Sequence, residues 1–245
     1  DLAGQLLRAW GGDGFARPEP HASVVLAATR HDDGWATWER APRFDRRRGA
    51  PVGFTELPVA VHLAFYRAGV EVVCDEDPYA GLLVSMHMSG LYRARYGVLP
   101  ARAPALDAEE QAAADRYGDE EETRQAALVR RLGVEEDERW RNYALLQVAD
   151  LVSLQLGLAP LASPEAGVLG AVDAVPTADG ERCRIELRAV APWRVRFDPF
   201  PFASDPLRLT LARRVVPKGD WRSDVEFRAA LAAAPPETVT IVAER

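Results

Sequence analysis

Lysine is almost missing from this chain. Lys218 is the only one, although Lys and Arg together number 30. Arginine fills the gap even on acidic, solvated segments, so the bias reads as genomic base composition and not as a binding feature. Cysteine is nearly as scarce. Cys74 and Cys183 lie far apart and in no metal-type spacing. That excludes a disulfide framework and a cysteine zinc site, and it fits two reduced thiols in a cytoplasmic protein. Long apolar runs are missing too: none approaches the ~18 residues of a membrane span. Excess positive charge is absent, since the net charge is −7. The balance argues against a nucleic-acid or anionic-membrane surface. There is no phosphate-cradling glycine loop, no nucleophile elbow and no dinucleotide fingerprint. Gly11-Gly12-Asp13-Gly14 reads as a turn, because no strand precedes it.

What is present suffices for one large domain or one domain with a small appendage: 245 residues, 48% of them hydrophobic. Leu2, Leu6, Leu7 and Trp10 recur at helical spacing. Ala22 to Arg30 reads as a buried helix ending at His31. Trp35, Trp38, Pro42, Phe44 and Pro51 mark a loop. Pro58 opens a helix through Val61, Ala64, Phe65 and Ala68. Asp77 caps the next, with Pro78 in its first turn, and that helix carries His87 within an almost wholly apolar run. Residues 100–122 are polar and acidic and read as a lid, exposed helices or a mobile excursion. A long helix follows from about Glu135 to Gly157, with Asp150 near its centre. After Pro160 the pattern changes. Arg182 to Val190, Trp193 to Phe197, Leu207 to Val215 and Thr238 to Ala243 alternate as strands, with a turn at Asp179-Gly180 and a short helix over Asp224 to Ala232.

Polar residues inside the apolar segments carry the chemistry. His31-Asp32-Asp33-Gly34-Trp35 directly follows the run Val24 to Ala28. His87 lies between Met86 and Met88. Asp150 lies between Ala149 and Leu151. A buried carboxylate without a partner is costly, so Asp150 needs an arginine or a metal. One metal shared by several helices accounts for all of these residues at once, because neutral imidazole and carboxylate are both good ligands.

A His-Asp pair at the end of a helix, followed much later by Gln147-Val148-Ala149-Asp150-Leu151, resembles the HD-domain superfamily over roughly residues 1–160. More closely, the HDDGW stretch, Trp38-Glu39, Asp77-Pro78-Tyr79-Ala80 and Ser85-Met86-His87 resemble a bacterial family marked by its HDDGW pattern, which brings no established activity. The superfamily resemblance implies an all-helical, metal-dependent phosphohydrolase or a diiron oxygenase. It implies His31, Asp32 and Asp150 as ligands. The superfamily's first His is either His21, or a residue before Asp1, or missing from an incomplete site. His62 and His87 fall where two-metal members place further histidines. The cofactor is then one or two divalent ions of Mn, Fe, Mg, Zn or Ni.

Other residues have two readings. Asp33 orients His31 or moves protons, or it caps a turn. His87 serves the chemistry or only the metal. Trp35 and Trp38 wall a pocket or pack a core. Arg43, in the cluster with Arg46 to Arg48, binds a phosphate or sits on a solvated loop. Gln147, three residues before Asp150 on the same face, contacts substrate or bonds structurally. The resulting expectation is a mainly α fold. An HD-like helical domain spans 1–160, and a small β-rich α+β subdomain spans 161–245. Its function is phosphoester hydrolysis by a metal-activated water on a small-molecule substrate. The alternatives are a diiron oxygenase and a non-catalytic binding module.

Overall fold

The structure is a computed structural model that describes residues 2–94, 105–163 and 167–245. Its first helix, α1 (Leu2–Ala9), buries Leu2, Leu6 and Leu7 on one face. The next, α2 (His21–Arg30), buries Val24, Val25, Ala27 and Ala28. A 3-10 turn over Asp33–Trp35 runs into the short α3 (Ala36–Arg40). A hairpin of β1 (Phe44–Asp45) and β2 (Ala50–Pro51) follows, so the expected loop is largely ordered into short elements.

Two helices packed on each other come next, α4 (Val59–Glu76) and α5 (Pro78–Gly90). The Asp77 carboxylate accepts from the backbone N–H groups of Tyr79 and Ala80 at 2.8 and 3.0 Å, the capping expected from Asp-Pro at a helix start. Its other oxygen accepts from Ser23 at 2.6 Å, tying α2 to α5. Every residue of α5 from Tyr79 to Gly90 is buried, which makes it the central helix.

Of the acidic region, the described part forms one helix, α6 (Ala108–Leu132), packed on α5; residues 100–104 of that expectation lie outside the described residues. Asp107 and Glu110 form a reciprocal cap at its start, and Gly133, with φ of +64°, closes it in the left-handed conformation that suits glycine. Its buried face is Ala114, Tyr117, Gly118, Glu121 and Leu128. That stripe is diluted by a glycine and a glutamate, so hydrophobicity alone does not reveal it. The last long helix is α7 (Glu136–Leu158).

The mainly α expectation is overturned by the second half. A five-stranded sheet runs in the order β3-β4-β5-β7-β6, built from β3 (Gly167–Pro176), β4 (Arg182–Ala191), β5 (Arg194–Asp198), β6 (Leu207–Arg214) and β7 (Pro236–Glu244). Only β5 and β7 pair in parallel. With the hairpin, this makes the chain α+β. The sequence reading missed β3 for a physical reason. Its register shifts between Val168 and Gly170 and again between Val172 and Val175, where Ala174 has φ of +56°. Bulges insert residues and break the period-2 alternation by which a strand is recognised.

The sheet shares one continuous core with the helices. Trp10 packs edge-on against Phe202 with ring centres 5.9 Å apart, and the Gly11 and Gly12 amides both donate to Pro201. Between β6 and β7 lies α8 (Asp224–Ala233). Phe227 of α8 stacks on Phe44 at 5.2 Å, and Asp224 accepts from the Phe44 amide at 2.9 Å. The C-terminal segment therefore braces the hairpin.

Candidate metal centre

Three helices deliver three buried side chains to one point. His31 follows the last residue of α2, His87 comes from α5 and Asp150 from α7. Their candidate ligand atoms all lie within 4.8 Å of one another. His31 Nδ1 stands 2.9 Å from the Ala28 carbonyl, which can only accept, so Nδ1 carries the proton. That leaves Nε2 facing Asp32 Oδ2 at 3.3 Å and Asp150 Oδ1 at 3.4 Å. His87 Nε2 lies 3.8 Å from Asp150 Oδ2, and the two imidazoles meet edge to face with centres 5.3 Å apart.

The electrostatics separate the two histidines. Burial works against charge on His31, but the carboxylates of Asp32 and Asp150 outweigh it and hold its pKa well above the ordinary imidazole value. Burial dominates at His87 and pushes it down to about 4, with Asp150 opposing. In the ion-free protein His31 therefore holds a second proton between two carboxylates, while His87 stays neutral.

This donor set fits a divalent ion. Two imidazole nitrogens and a carboxylate face one point, and the buried His31 Nε2 has no hydrogen-bond partner of good geometry. An ion there would take the place of the His31 proton. The Ala28 carbonyl fixes the tautomer in the way that metal-bound imidazoles are usually oriented. The buried His31–His87–Asp150 group could hold a metal ion. Asp32 sits at its edge with 62% of its side chain exposed.

A cavity of about 320 Å³ opens over this group. Trp35, Trp38, Phe54, Tyr66 and Leu154 form its apolar wall, and Asp32 and Glu39 add carboxylates. Burial drives the Tyr66 hydroxyl far above its ordinary pKa, so it stays protonated. Gly34 explains the glycine of the HDDGW stretch. A Cβ there would stand 2.1 Å from the Phe65 carbonyl oxygen of α4. Only glycine lets the turn after His31 lie directly on α4, and that contact sets Trp35 against Phe65 and Tyr66 at ring distances of 5.3 and 6.0 Å.

The remaining expected residues are placed elsewhere. His21 starts α2, about 15 Å along the axis from His31 at 1.5 Å per residue. His62 lies near the cavity, but its Nε2 bonds the Phe54 carbonyl at 2.8 Å and its Nδ1 faces the Tyr92 hydroxyl at 3.3 Å. Asp33 is held by Arg30 at 2.5 Å and does not line the cavity. Arg43 is exposed, 4.0 Å from Asp224. Gln147 is fully buried in α7 and does not line the cavity. Trp35 and Trp38 do line it. Sequence reasoning quoted Glu39 beside Trp38 without giving it a role, and it missed Phe54 and Tyr66. Glu39 had a usable signal, since it follows Trp38 on the same short turn; the other two look like any core aromatic.

A family model described as "Protein of unknown function (DUF3891)" matches residues 1–218. No curated protein and no solved structure matches the chain. The matched span covers all three residues of the candidate centre and the sheet through β6. The chain belongs to the DUF3891 family.

Proposed function

We propose that this protein is a metal-dependent hydrolase with phosphoesters as its substrate class. The observation that carries the reading is the convergence of His31 Nε2, His87 Nε2 and Asp150 beneath an open cavity. The resemblance of His31-Asp32 and Asp150 to the HD-domain ligands supports the phosphoester class.

A divalent ion at this point supplies Lewis acidity and lowers the pKa of bound water. The chain's own residues do the rest. His31 and His87 offer imidazole nitrogens, with His31 oriented by Ala28. Asp32, exposed at the mouth, accepts a proton from water entering the cavity. Tyr66, kept protonated by burial, is a donor on the wall. Trp35, Trp38 and Phe54 exclude bulk water. The described lining carries carboxylates and no arginine or lysine, so a bound ion would be the positive partner for a phosphate.

One observation favours a second reading, an iron-dependent oxygenase. Two histidines and one carboxylate with open positions are the donor set of non-haem iron oxygenases, and the aromatic wall suits an apolar substrate.

The test is elemental analysis of protein purified without chelator, followed by turnover of phosphomonoesters, phosphodiesters and carboxylic esters with and without oxygen. The hydrolase reading expects one divalent ion per chain and phosphoester cleavage that is indifferent to oxygen. Iron together with oxygen consumption establishes the second reading. An ion-loaded protein that turns over none of these substrates overturns both.

A further inference from the structure

The lining of the cavity over the metal centre divides into two parts. His87 and Asp150 belong to the centre, whereas Trp35, Trp38, Phe54 and Tyr66 are aromatic. Two of these rings are not used up by packing. Phe54 is 48% exposed and meets the Trp35 ring edge-on, with centres 6.2 Å apart. Trp38 is half-buried and, among the described residues, meets no other aromatic ring. The guanidiniums that lie over rings in the described residues cover Tyr117, Trp140, Trp193 and Phe200, and none covers a ring of this wall.

Glu39 is the second observation. It follows Trp38 on α3 and lines the same cavity. Among the described residues it has neither an ion pair nor a hydrogen-bond partner. An ion at the centre would be answered by Asp150, with Asp32 at its edge. Nothing in the described lining answers Glu39, because no arginine or lysine is there. A phosphate entering alone meets that carboxylate unopposed. A substrate that brings its own cation turns the repulsion into attraction. Ring faces carry negative charge density and attract weakly hydrated cations. A primary ammonium has three N–H donors to satisfy, for which one carboxylate does not suffice. A quaternary ammonium has none, and its methyl groups suit an aromatic wall.

We infer that this cavity binds a quaternary ammonium group, so that its phosphoester substrates are esters of quaternary amino alcohols. The cation lies on Trp38 and Phe54 beside Glu39, and the phosphate points to the metal centre. The phosphate half rests on the hydrolase reading. The cation half does not, because Trp38, Glu39 and Phe54 are outside the His31–His87–Asp150 group. The volume of about 320 Å³ is at the low end of the ~300–1,000 Å³ of small-molecule pockets. It suits a short amino alcohol and not a lipid-sized ester.

The experiment is calorimetry on the full chain with chelator present, so that no ion contributes. The probes are choline and its uncharged carbon isostere, dimethylbutanol. Choline binds about tenfold more tightly, the scale of a desolvated cation–π contact. Glu39→Gln and Trp38→Leu each weaken choline by about fivefold or more, and Glu39→Gln leaves dimethylbutanol unchanged. Asp137→Asn, an exposed carboxylate in the first turn of α7 outside the cavity, leaves both unchanged. If Trp38→Leu fails to fold by circular dichroism, the exposed position Glu39→Gln decides. The inference is overturned if choline does not bind, if dimethylbutanol binds as tightly, or if Glu39→Gln keeps the parent's affinity for choline. The ion-loaded protein is then given phosphocholine and dimethylbutyl phosphate. Discrimination for choline without turnover of either ester supports the cation subsite and overturns the hydrolase reading. Equal turnover of both esters supports the hydrolase reading and overturns the cation subsite.

Discussion

His31 Nε2 and Asp150 Oδ1 stand 3.4 Å apart, although one closes α2 and the other sits deep in α7. The pair holds a proton in the ion-free protein and offers two donors to a cation. Everything else at the centre is arranged around it.

Removing the carboxylate tests the pair directly. Asp150→Asn leaves His31 buried beside a neutral partner and deletes one donor. Ion-free stability falls by about 3 kcal/mol, the cost of breaking a buried charged pair, and metal content falls to background. Chemical denaturation with chelator, alongside elemental analysis, reads both effects. Unchanged metal content in a folded Asp150→Asn protein would sink the metal centre.

His62 and His87 are expected to differ. His62 is committed to the Phe54 carbonyl, whereas His87 faces Asp150. His62→Gln therefore keeps one ion per chain, and His87→Gln loses it. A second ion in the parent protein that disappears in His62→Gln would show instead that two metals bind.

Gly34 is predicted to tolerate no side chain. An alanine Cβ meets the Phe65 carbonyl oxygen, which is backbone and cannot swing away. Gly34→Ala costs about 1–3 kcal/mol by overpacking and weakens metal binding, because the displaced turn directly follows His31. Gly157→Ala near the end of α7 is the control. Nothing lies within 4 Å of its Cβ, so it stabilises by about 0.5–1 kcal/mol through helix propensity. Equal effects of the two substitutions would refute the close-approach account.

Acid should loosen the wall that carries Phe54. Glu56 is held below its ordinary carboxylate pKa by the Gly53 amide first and then by Arg48. Asp45 is lowered by the Arg47 amide first and then by Arg48. Both carboxyls have depressed pKa values in the folded state. Their stabilisation is complete above the unfolded-state value of about 4 and is lost as pH falls through the folded values. Amide exchange at Gly53 and Arg47, followed by NMR, should accelerate relative to the α5 core as pH drops below about 4. Uniform protection across that range would contradict the clamp.

Some of this was readable along the chain because the signals are local. Asp77-Pro78 announces a helix start, and the observed cap uses both residues. His87 and Asp150 stand out as polar residues in apolar runs, and the structure brings them together with His31. His62 was not distinguishable from His87 by type or by spacing. The direction of its side chain depends on Phe54 and Tyr92, which approach from other elements. The strand β3 stayed hidden because two bulges erase its alternation, and α6 because its buried face includes Gly118 and Glu121.

By itself the sequence determined the helix caps, the alternating strands β4 to β7 and the short set of residues able to bind a metal, because each depends on neighbours a few positions away. Only the tertiary structure decided which members of that set meet. Convergence depends on how α2, α5 and α7 cross, and crossing depends on contacts such as Gly34 on Phe65 and Ser23 on Asp77. These join residues far apart in the chain, and no local pattern encodes them.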